Sequence, residues 1–153
     1  MSTTYISVEL RRFVTDRAEH LCEYCLIAED DTFFGCQIDH IISEKHGGPT
    51  DVDNLDYACL CCNQAKGSDI GSIDWDSGEF VRFFNPRIDR WGDHFALFGI
   101  RIEPLTKIGR VTTRILGFNS DDRILERETL KSYNRYPTPE ALKHVKPVNG
   151  KST

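Results

Sequence analysis

The chain has 153 residues, of which 39% are hydrophobic and 28% charged, a composition typical of one domain that buries its own core. Its apolar runs are far shorter than the roughly 20 residues that a membrane-spanning helix needs, and its first residues lack the basic and apolar regions of a secretory signal. We therefore expect a cytoplasmic protein with no membrane partner, and the sequence sets no oligomeric state.

The formal net charge of −5 hides an uneven distribution along the chain. Residues 1–80 carry 16 acidic and 5 basic side chains, whereas residues 81–153 carry 8 acidic and 14 basic ones. If nucleic acid binds, we expect the second half to supply much of the affinity for phosphate. Two differently solvated faces would give the same split, so charge alone does not decide between the two.

The N-terminal segment predicts an amphipathic helix. Ser7 is placed to cap a helix that extends to about His20, and its apolar residues form one stripe: Leu10, Phe13, Val14 and Leu21. Its three basic residues fall largely on other faces: Arg11, Arg12 and Arg17. We expect this helix to pack on the core rather than to read DNA.

Two Cys-x-x-Cys pairs follow the predicted helix. The first is Cys22 and Cys25, the second is Cys59 and Cys62, and 33 residues separate them. A two-residue spacing lets one tight turn present both thiolates to one ion, and tetrahedral zinc takes four such ligands. A redox dithiol and disulfides are the alternatives, but two such pairs without a secretory signal favour structural zinc. The other cysteines are left out of the site, although adjacent cysteines can exchange roles: Cys36 and Cys61.

The segment between the pairs carries the residues suited to catalysis. Residues 37–42 alternate like a β-strand, which places Asp39 and His40 on opposite faces. Residues 45–53 are rich in Gly, Pro and Asp and predict a loop, and residues 55–60 predict a return strand. The chain from Asn63 predicts the first turns of a helix. The local architecture is therefore strand, loop, strand and helix, with zinc joining its ends.

Residues 22–67 resemble the HNH nuclease domain in its four-cysteine, ββα-metal form. The resemblance rests on an ordered set of motifs: Cys22-x-x-Cys25, Asp39-His40, Gly47-Gly48, Asn54-Leu55 and Cys59-x-x-Cys62-Asn63-x-x-Lys66. The chain departs from the pattern at Asn63, where many members have His, and an asparagine offers a metal only its amide oxygen. The resemblance implies an α+β fold: a zinc-stapled ββα-metal (His-Me finger) core, an N-terminal helix and a small C-terminal α+β extension.

The resemblance also implies a mechanism of phosphodiester cleavage. His40 would be the general base that activates water, because imidazole titrates near neutral pH. Asp39 and Asn63 would hold a catalytic Mg²⁺ or Mn²⁺, and Asn54 would orient His40 through hydrogen bonds to the loop backbone. The Zn²⁺ ion would be structural, since four thiolates leave it no open position. Asp39 and His40 would converge through a bulge or at the end of the strand.

The composition shifts after residue 75 without a flexible linker. We expect the HNH domain over residues 1–75, an α+β extension packed on it over 76–135, and a flexible tail over 136–153. The extension resembles one that accompanies a group of bacterial HNH proteins. Its patterns predict strands and helices in this order: a strand at 79–84, a helix at 87–95, a strand at 95–103, and helices at 106–118 and 121–131.

The sequence thus predicts a metal-dependent HNH endonuclease whose partner is DNA. Four cations are expected to contact nucleic-acid phosphates: Lys66, Arg87, Arg90 and Arg110. Two alternatives stay open. One is a non-catalytic, zinc-organised module that binds nucleic acid or protein, and the other is a nuclease that uses the same site on RNA.

Overall fold

The computed structural model describes residues 4–145. Helices and strands follow in the order α1 (Val8–Arg17), β1 (Cys36–His40), β2 (Leu55–Cys59), α2 (Leu60–Lys66), β3 (Gly71–Asp74), β4 (Glu79–Arg82), α3 (Trp91–His94), β5 (Phe95–Phe98), β6 (Arg101–Pro104), α4 (Lys107–Ile115), α5 (Asp121–Ser132) and α6 (Pro139–Leu142). Short 3₁₀ turns lie at Glu29–Asp31, Glu44–His46 and Val52–Asn54. Consecutive strands pair antiparallel into three two-stranded sheets. None of the helices in this range has the length and apolar character needed to cross a membrane.

A β-hairpin followed directly by a short helix positions both candidate sites. Strands β1 and β2 pair in unbroken register over their full length. Helix α2 begins at Leu60, and Cys59 caps it by accepting the backbone N–H of Cys62 on Sγ at 3.5 Å. The sequence predicts that this helix starts at Asn63, but it starts three residues earlier, because the second cysteine pair itself forms the turn from strand to helix. The predicted ββα core is confirmed.

Helix α1 covers one side of this hairpin. The Ser7 hydroxyl accepts the backbone N–H of Leu10 at 3.1 Å, which is the predicted cap. The helix ends at Arg17, before the predicted end at His20. Apolar side chains from α1, from the residues that flank it and from β2 form a small buried cluster: Ile6, Val14, Ala18, Leu55 and Tyr57.

A larger apolar core joins the two halves of the chain. It contains the cysteine pairs together with aromatic side chains of the extension. The Phe95 ring lies 5.0 Å from that of Trp91 and 5.6 Å from that of Phe118. Because cysteines and aromatic residues share one core, the extension completes the interior around the cysteine pairs.

Helix α4 attaches the hairpin of β3 and β4 to the rest of the extension. Thr106 caps it by accepting the backbone N–H of Gly109 at 3.0 Å. A Cβ at Gly109 would lie 2.3 Å from the carbonyl oxygen of His94, so this close approach requires glycine. Arg110 donates two hydrogen bonds of 2.9 Å to the carboxylate of Asp74, which ties α4 to the end of β3.

Two stretches of the extension differ from the predicted elements. Residues 95–103, predicted as one strand, form the β5–β6 hairpin, because Gly99 adopts a φ of +64° and reverses the chain. Within residues 87–95, predicted as a helix, only the single turn Trp91–His94 is helical.

Residues 136–145 pack on the protein, although the sequence analysis expects a flexible tail there. Tyr136 is 3% exposed, and its hydroxyl donates a 2.8 Å hydrogen bond to the carbonyl of Cys25. Pro139 begins a short helix, a position where the missing N–H of proline costs nothing. The remainder of the predicted tail, residues 146–153, lies outside the described residues.

Candidate metal centre and active site

Four buried cysteines meet at one point. The Sγ atoms of Cys22, Cys25, Cys59 and Cys62 all lie within 4.8 Å of one another. The sulfurs of Cys25 and Cys59 are 3.8 Å apart, which matches the separation of about 3.8 Å between tetrahedral ligands at a Zn–S distance of about 2.3 Å. In each pair the backbone N–H of the second cysteine approaches the sulfur of the first at 3.5 Å. These residues fit a structural zinc ion, and four thiolates leave no position for substrate.

A buried arginine from the extension lies against these thiolates. Nη2 of Arg123, on α5, donates to Cys25 Sγ at 3.2 Å and to Cys59 Sγ at 3.6 Å, and Nη1 donates to Cys62 Sγ at 3.7 Å. Burial opposes the charge of Arg123, but the thiolates of Cys25, Cys62 and Cys59 outweigh it and raise the guanidinium pKa. Four thiolates and one dication sum to a charge of −2, and the guanidinium offsets half of it.

Two more side chains from the second half of the chain, one in the extension and one just after it, hold the backbone of the first cysteine pair. Trp91 Nε1 donates to the carbonyl of Tyr24 at 2.8 Å. The Tyr136 hydroxyl binds the next carbonyl, that of Cys25, as described above. The extension therefore contacts both the sulfurs and the backbone of this pair, and the metal centre is built from both halves of the chain.

A groove of about 890 Å³ runs along β1, the start of α2 and the inner wall of α1. Three of the four predicted catalytic residues line it: Asp39, His40 and Asn63. The fourth, Asn54, is buried next to the loop that follows β1. The fold thus brings residues from a strand and a helix, 24 positions apart, to one surface.

His40 is held in place from two sides. The residue is 2% exposed, and its ring Nε2 lies 2.7 Å from the Thr50 hydroxyl oxygen. Its backbone carbonyl oxygen accepts a hydrogen bond from Nζ of Lys66 at 3.1 Å. Within residues 4–145 the second ring nitrogen, Nδ1, makes no hydrogen bond to protein. If Nε2 carries the proton and donates a hydrogen bond to the Thr50 hydroxyl, the lone pair of Nδ1 remains free to accept a proton.

Asn54 fixes the loop that follows His40. Its amide oxygen accepts the N–H of Ile42 at 2.9 Å, and its amide nitrogen donates to the carbonyls of Ile42 and Pro49, both at 2.9 Å. A Cβ at Gly48 would lie 1.7 Å from the Ile42 carbonyl oxygen, so the loop closes this tightly only with glycine. Asn54 therefore holds the backbone on both sides of this loop together, at Ile42 and at Pro49.

Asp39 and Asn63 line the same groove, and each carries a side-chain oxygen that could bind a metal ion. Gln37 and Asp39 alternate onto one face of β1, and Asn63 Nδ2 donates to Gln37 Oε1 at 2.6 Å. This bond leaves the Asn63 amide oxygen as an acceptor, and the Asp39 carboxylate makes no hydrogen bond within the described range. The strand contains no bulge, because its register is unbroken up to its last residue, His40. Two oxygen ligands fit Mg²⁺ or Mn²⁺, which keep several waters.

A buried acid lies across the hairpin from Asp39. Asp56 is its register partner, is 1% exposed and accepts the hydroxyl of Tyr24 on Oδ2. Burial raises the pKa of Asp56 to about 7, against the opposing effects of the Lys66 charge and the Tyr24 bond. Its second oxygen, Oδ1, has no hydrogen-bond partner in the described part of the chain.

Three of the four predicted phosphate-binding cations have internal partners instead. Lys66 is 3% exposed and binds the carbonyl of His40. Arg87 pairs with Glu23, and Arg110 pairs with the carboxylate at the end of β3. Each of these three would have to give up a bound acceptor to reach a phosphate, which opposes the predicted contact.

The fourth cation, Arg90, is exposed but belongs to another surface. It lines a separate cavity of about 430 Å³ beside Trp91 and Arg17, away from the groove that holds His40. Several residues that the sequence does not single out line the groove or hold its histidine: Arg11, Gln37, Lys45 and Thr50. Only the position of Gln37, two residues before Asp39 on the same strand face, was a signal for any of them.

Residues 22–69 match the family model described as HNH endonuclease. No curated protein and no solved structure matches the chain. The matched segment contains both cysteine pairs, the ββα unit and the four predicted catalytic residues. The predicted resemblance is confirmed: these residues form an HNH endonuclease domain with a four-cysteine site of the zinc type. Nucleases of this family act on nucleic acids.

Proposed function

We propose that the protein is a metal-dependent endonuclease that hydrolyses phosphodiester bonds in DNA. The observation that carries the proposal is that Asp39, His40 and Asn63 line one groove within the matched HNH segment. The histidine of this groove is held by Thr50 through one ring nitrogen, and its other ring nitrogen makes no hydrogen bond to the described residues. This combination supports proton transfer from a water molecule to the protein.

The chain's own residues supply the base and its orientation. His40 Nδ1 takes a proton from water, the water oxygen forms a bond to phosphorus, and the bond from phosphorus to the 3′ oxygen breaks as that oxygen takes up a proton from a second water molecule. Thr50 holds the opposite ring nitrogen, and Asn54 holds the loop that carries Thr50. A divalent cation bound by Asp39 and Asn63 would stabilise charge on the phosphate and the leaving oxygen. Lys66, bound to the His40 carbonyl, restrains the backbone at that position.

Digestion of DNA and RNA side by side tests this function. Zinc-loaded protein with Mg²⁺ or Mn²⁺ is expected to cleave plasmid, linear duplex or single-stranded DNA, and His40→Ala is expected to lower the rate about 10²–10⁴-fold. His46→Ala is the matched control, because His46 is an exposed loop histidine outside the groove lining. Equal rates for His40→Ala and wild type would refute the assigned base. Cleavage of RNA alone would move the activity to RNA, and no cleavage at all would favour a non-catalytic binding module.

A further inference from the structure

Helix α1 forms one wall of the groove and presents a cation to it. Arg11 and Thr15 lie on that wall, facing the same cavity as Asp39 and His40. Arg11 Nε donates to the carbonyl of Ile6 at 3.1 Å, which fixes the direction of the guanidinium. Its two Nη groups make no hydrogen bond or ion pair within residues 4–145, so four N–H donors are left for a ligand.

Arg11 differs in this respect from most other arginines of the described chain. Six of them form ion pairs with carboxylates: Arg82, Arg87, Arg101, Arg110, Arg123 and Arg135. Three others donate to backbone carbonyls: Arg17, Arg114 and Arg127. The basic excess of the second half is therefore largely consumed by internal contacts. In the first half, by contrast, Arg11 lines the groove with both of its Nη groups open within the described residues.

The charge of the groove depends on two cations. Its lining contains two carboxylates, Asp39 and Glu44, and two basic side chains, Arg11 and Lys45. With both cations the lining is neutral, and a bound divalent ion would make it +2. Without them the same groove would carry −2 and would become only neutral on binding the ion. A polyanion binds the first arrangement and gains no net attraction from the second.

We propose that Arg11, assisted by Lys45, binds the phosphates of the nucleic-acid strand next to the phosphate that is cleaved. The proposal rests on the proposed function and assigns the substrate-binding wall to α1, a helix that precedes the matched HNH segment. A guanidinium with both Nη groups open forms two parallel hydrogen bonds to one phosphate, which a lysine does not. Arg11 thus positions the strand, and the groove orients it towards His40.

The test compares Arg11→Gln with Arg12→Gln. Both residues are exposed neighbours on α1, but Arg12 does not line the groove. Each substitution is made in a His40→Ala background, so that binding is measured without turnover. Anisotropy of a labelled 20-nucleotide single strand and of the corresponding duplex is followed from 50 to 200 mM NaCl, with zinc retained in the protein. Thermal unfolding by circular dichroism verifies that all variants fold.

Arg11→Gln is expected to weaken binding about 5–10-fold and to lower the slope of log K against log salt by about 0.7 for the single strand and about 0.9 for the duplex. Arg11→Lys should restore the slope but only part of the affinity. Arg12→Gln should change the affinity less than twofold. Equal effects of Arg11→Gln and Arg12→Gln would overturn the proposal, even if the His40-dependent cleavage stands. Conversely, if Arg11→Gln weakens binding more than Arg12→Gln but the wild-type protein cleaves no substrate, the result would support Arg11 as a phosphate-binding residue and refute the proposed function.

Discussion

Replacing Arg123 by methionine is the sharpest test of how the extension and the metal centre depend on each other. The guanidinium is 5% exposed and makes three N–H···S contacts at 3.2, 3.6 and 3.7 Å. A hydrogen bond to a charged group contributes about 1.5–3 kcal/mol, and removing one partner of a buried charge pair costs about 3–5 kcal/mol. Only the 3.2 Å contact is short, so we expect the lower end, about 3 kcal/mol.

This loss is measurable by two independent methods. A domain of this size loses about 2–4 °C in Tm for each kcal/mol, so Arg123→Met should unfold about 6–12 °C below wild type. Zinc transfer to a colorimetric chelator should become faster in Arg123→Met, because the buried thiolates lose their counter-charge. Arg123→Lys keeps the charge but loses the planar guanidinium. Its unfolding temperature and its rate of zinc transfer should lie between those of wild type and Arg123→Met.

Arg135→Met serves as the control for the loss of an arginine. Arg135 pairs with Asp31 and its side chain is 51% exposed, so its removal should cost at most about 1 kcal/mol. The reasoning is refuted if Arg123→Met and Arg135→Met unfold at the same temperature and release zinc at the same rate. That result would mean that the thiolates do not need the guanidinium.

Two further substitutions test the groove. Asn54→Ala removes three hydrogen bonds to the loop, so we expect thermal unfolding to show a loss of about 2–3 kcal/mol in stability. Initial rates should show a fall in kcat that is larger than the rise in KM. An unchanged kcat would exclude Asn54 from orienting His40. Burial raises the Asp56 pKa to about 7, above its ordinary value of 3.8, so the folded state holds this proton longer than the unfolded state. Its contribution to stability is greatest below about pH 4 and falls by about 2–3 kcal/mol from pH 5 to pH 8. Asp56→Asn should lack this fall in denaturant titrations at the two pH values, and an identical fall in both proteins would contradict the assignment.

The sequence by itself determined the parts of this protein that depend on local spacing. A cysteine pair two residues apart makes one turn whatever surrounds it, and helix caps at Ser7 and Thr106 depend only on the next three residues. The order of motifs from Cys22 to Lys66 identified the ββα core for the same reason, since each motif lies within one short element.

The tertiary structure decided which charges are available. Composition gave the second half an excess of basic residues, but an ion pair such as that of Arg87 with Glu23 joins positions 64 residues apart, and no local pattern records it. Lys66 is expected from the sequence to contact a phosphate, yet packing of α2 on the hairpin buries it. The cations available to bind phosphate are those that have no partner in the folded protein. Because these partners are distant in sequence, the sequence alone does not tell which cations they are.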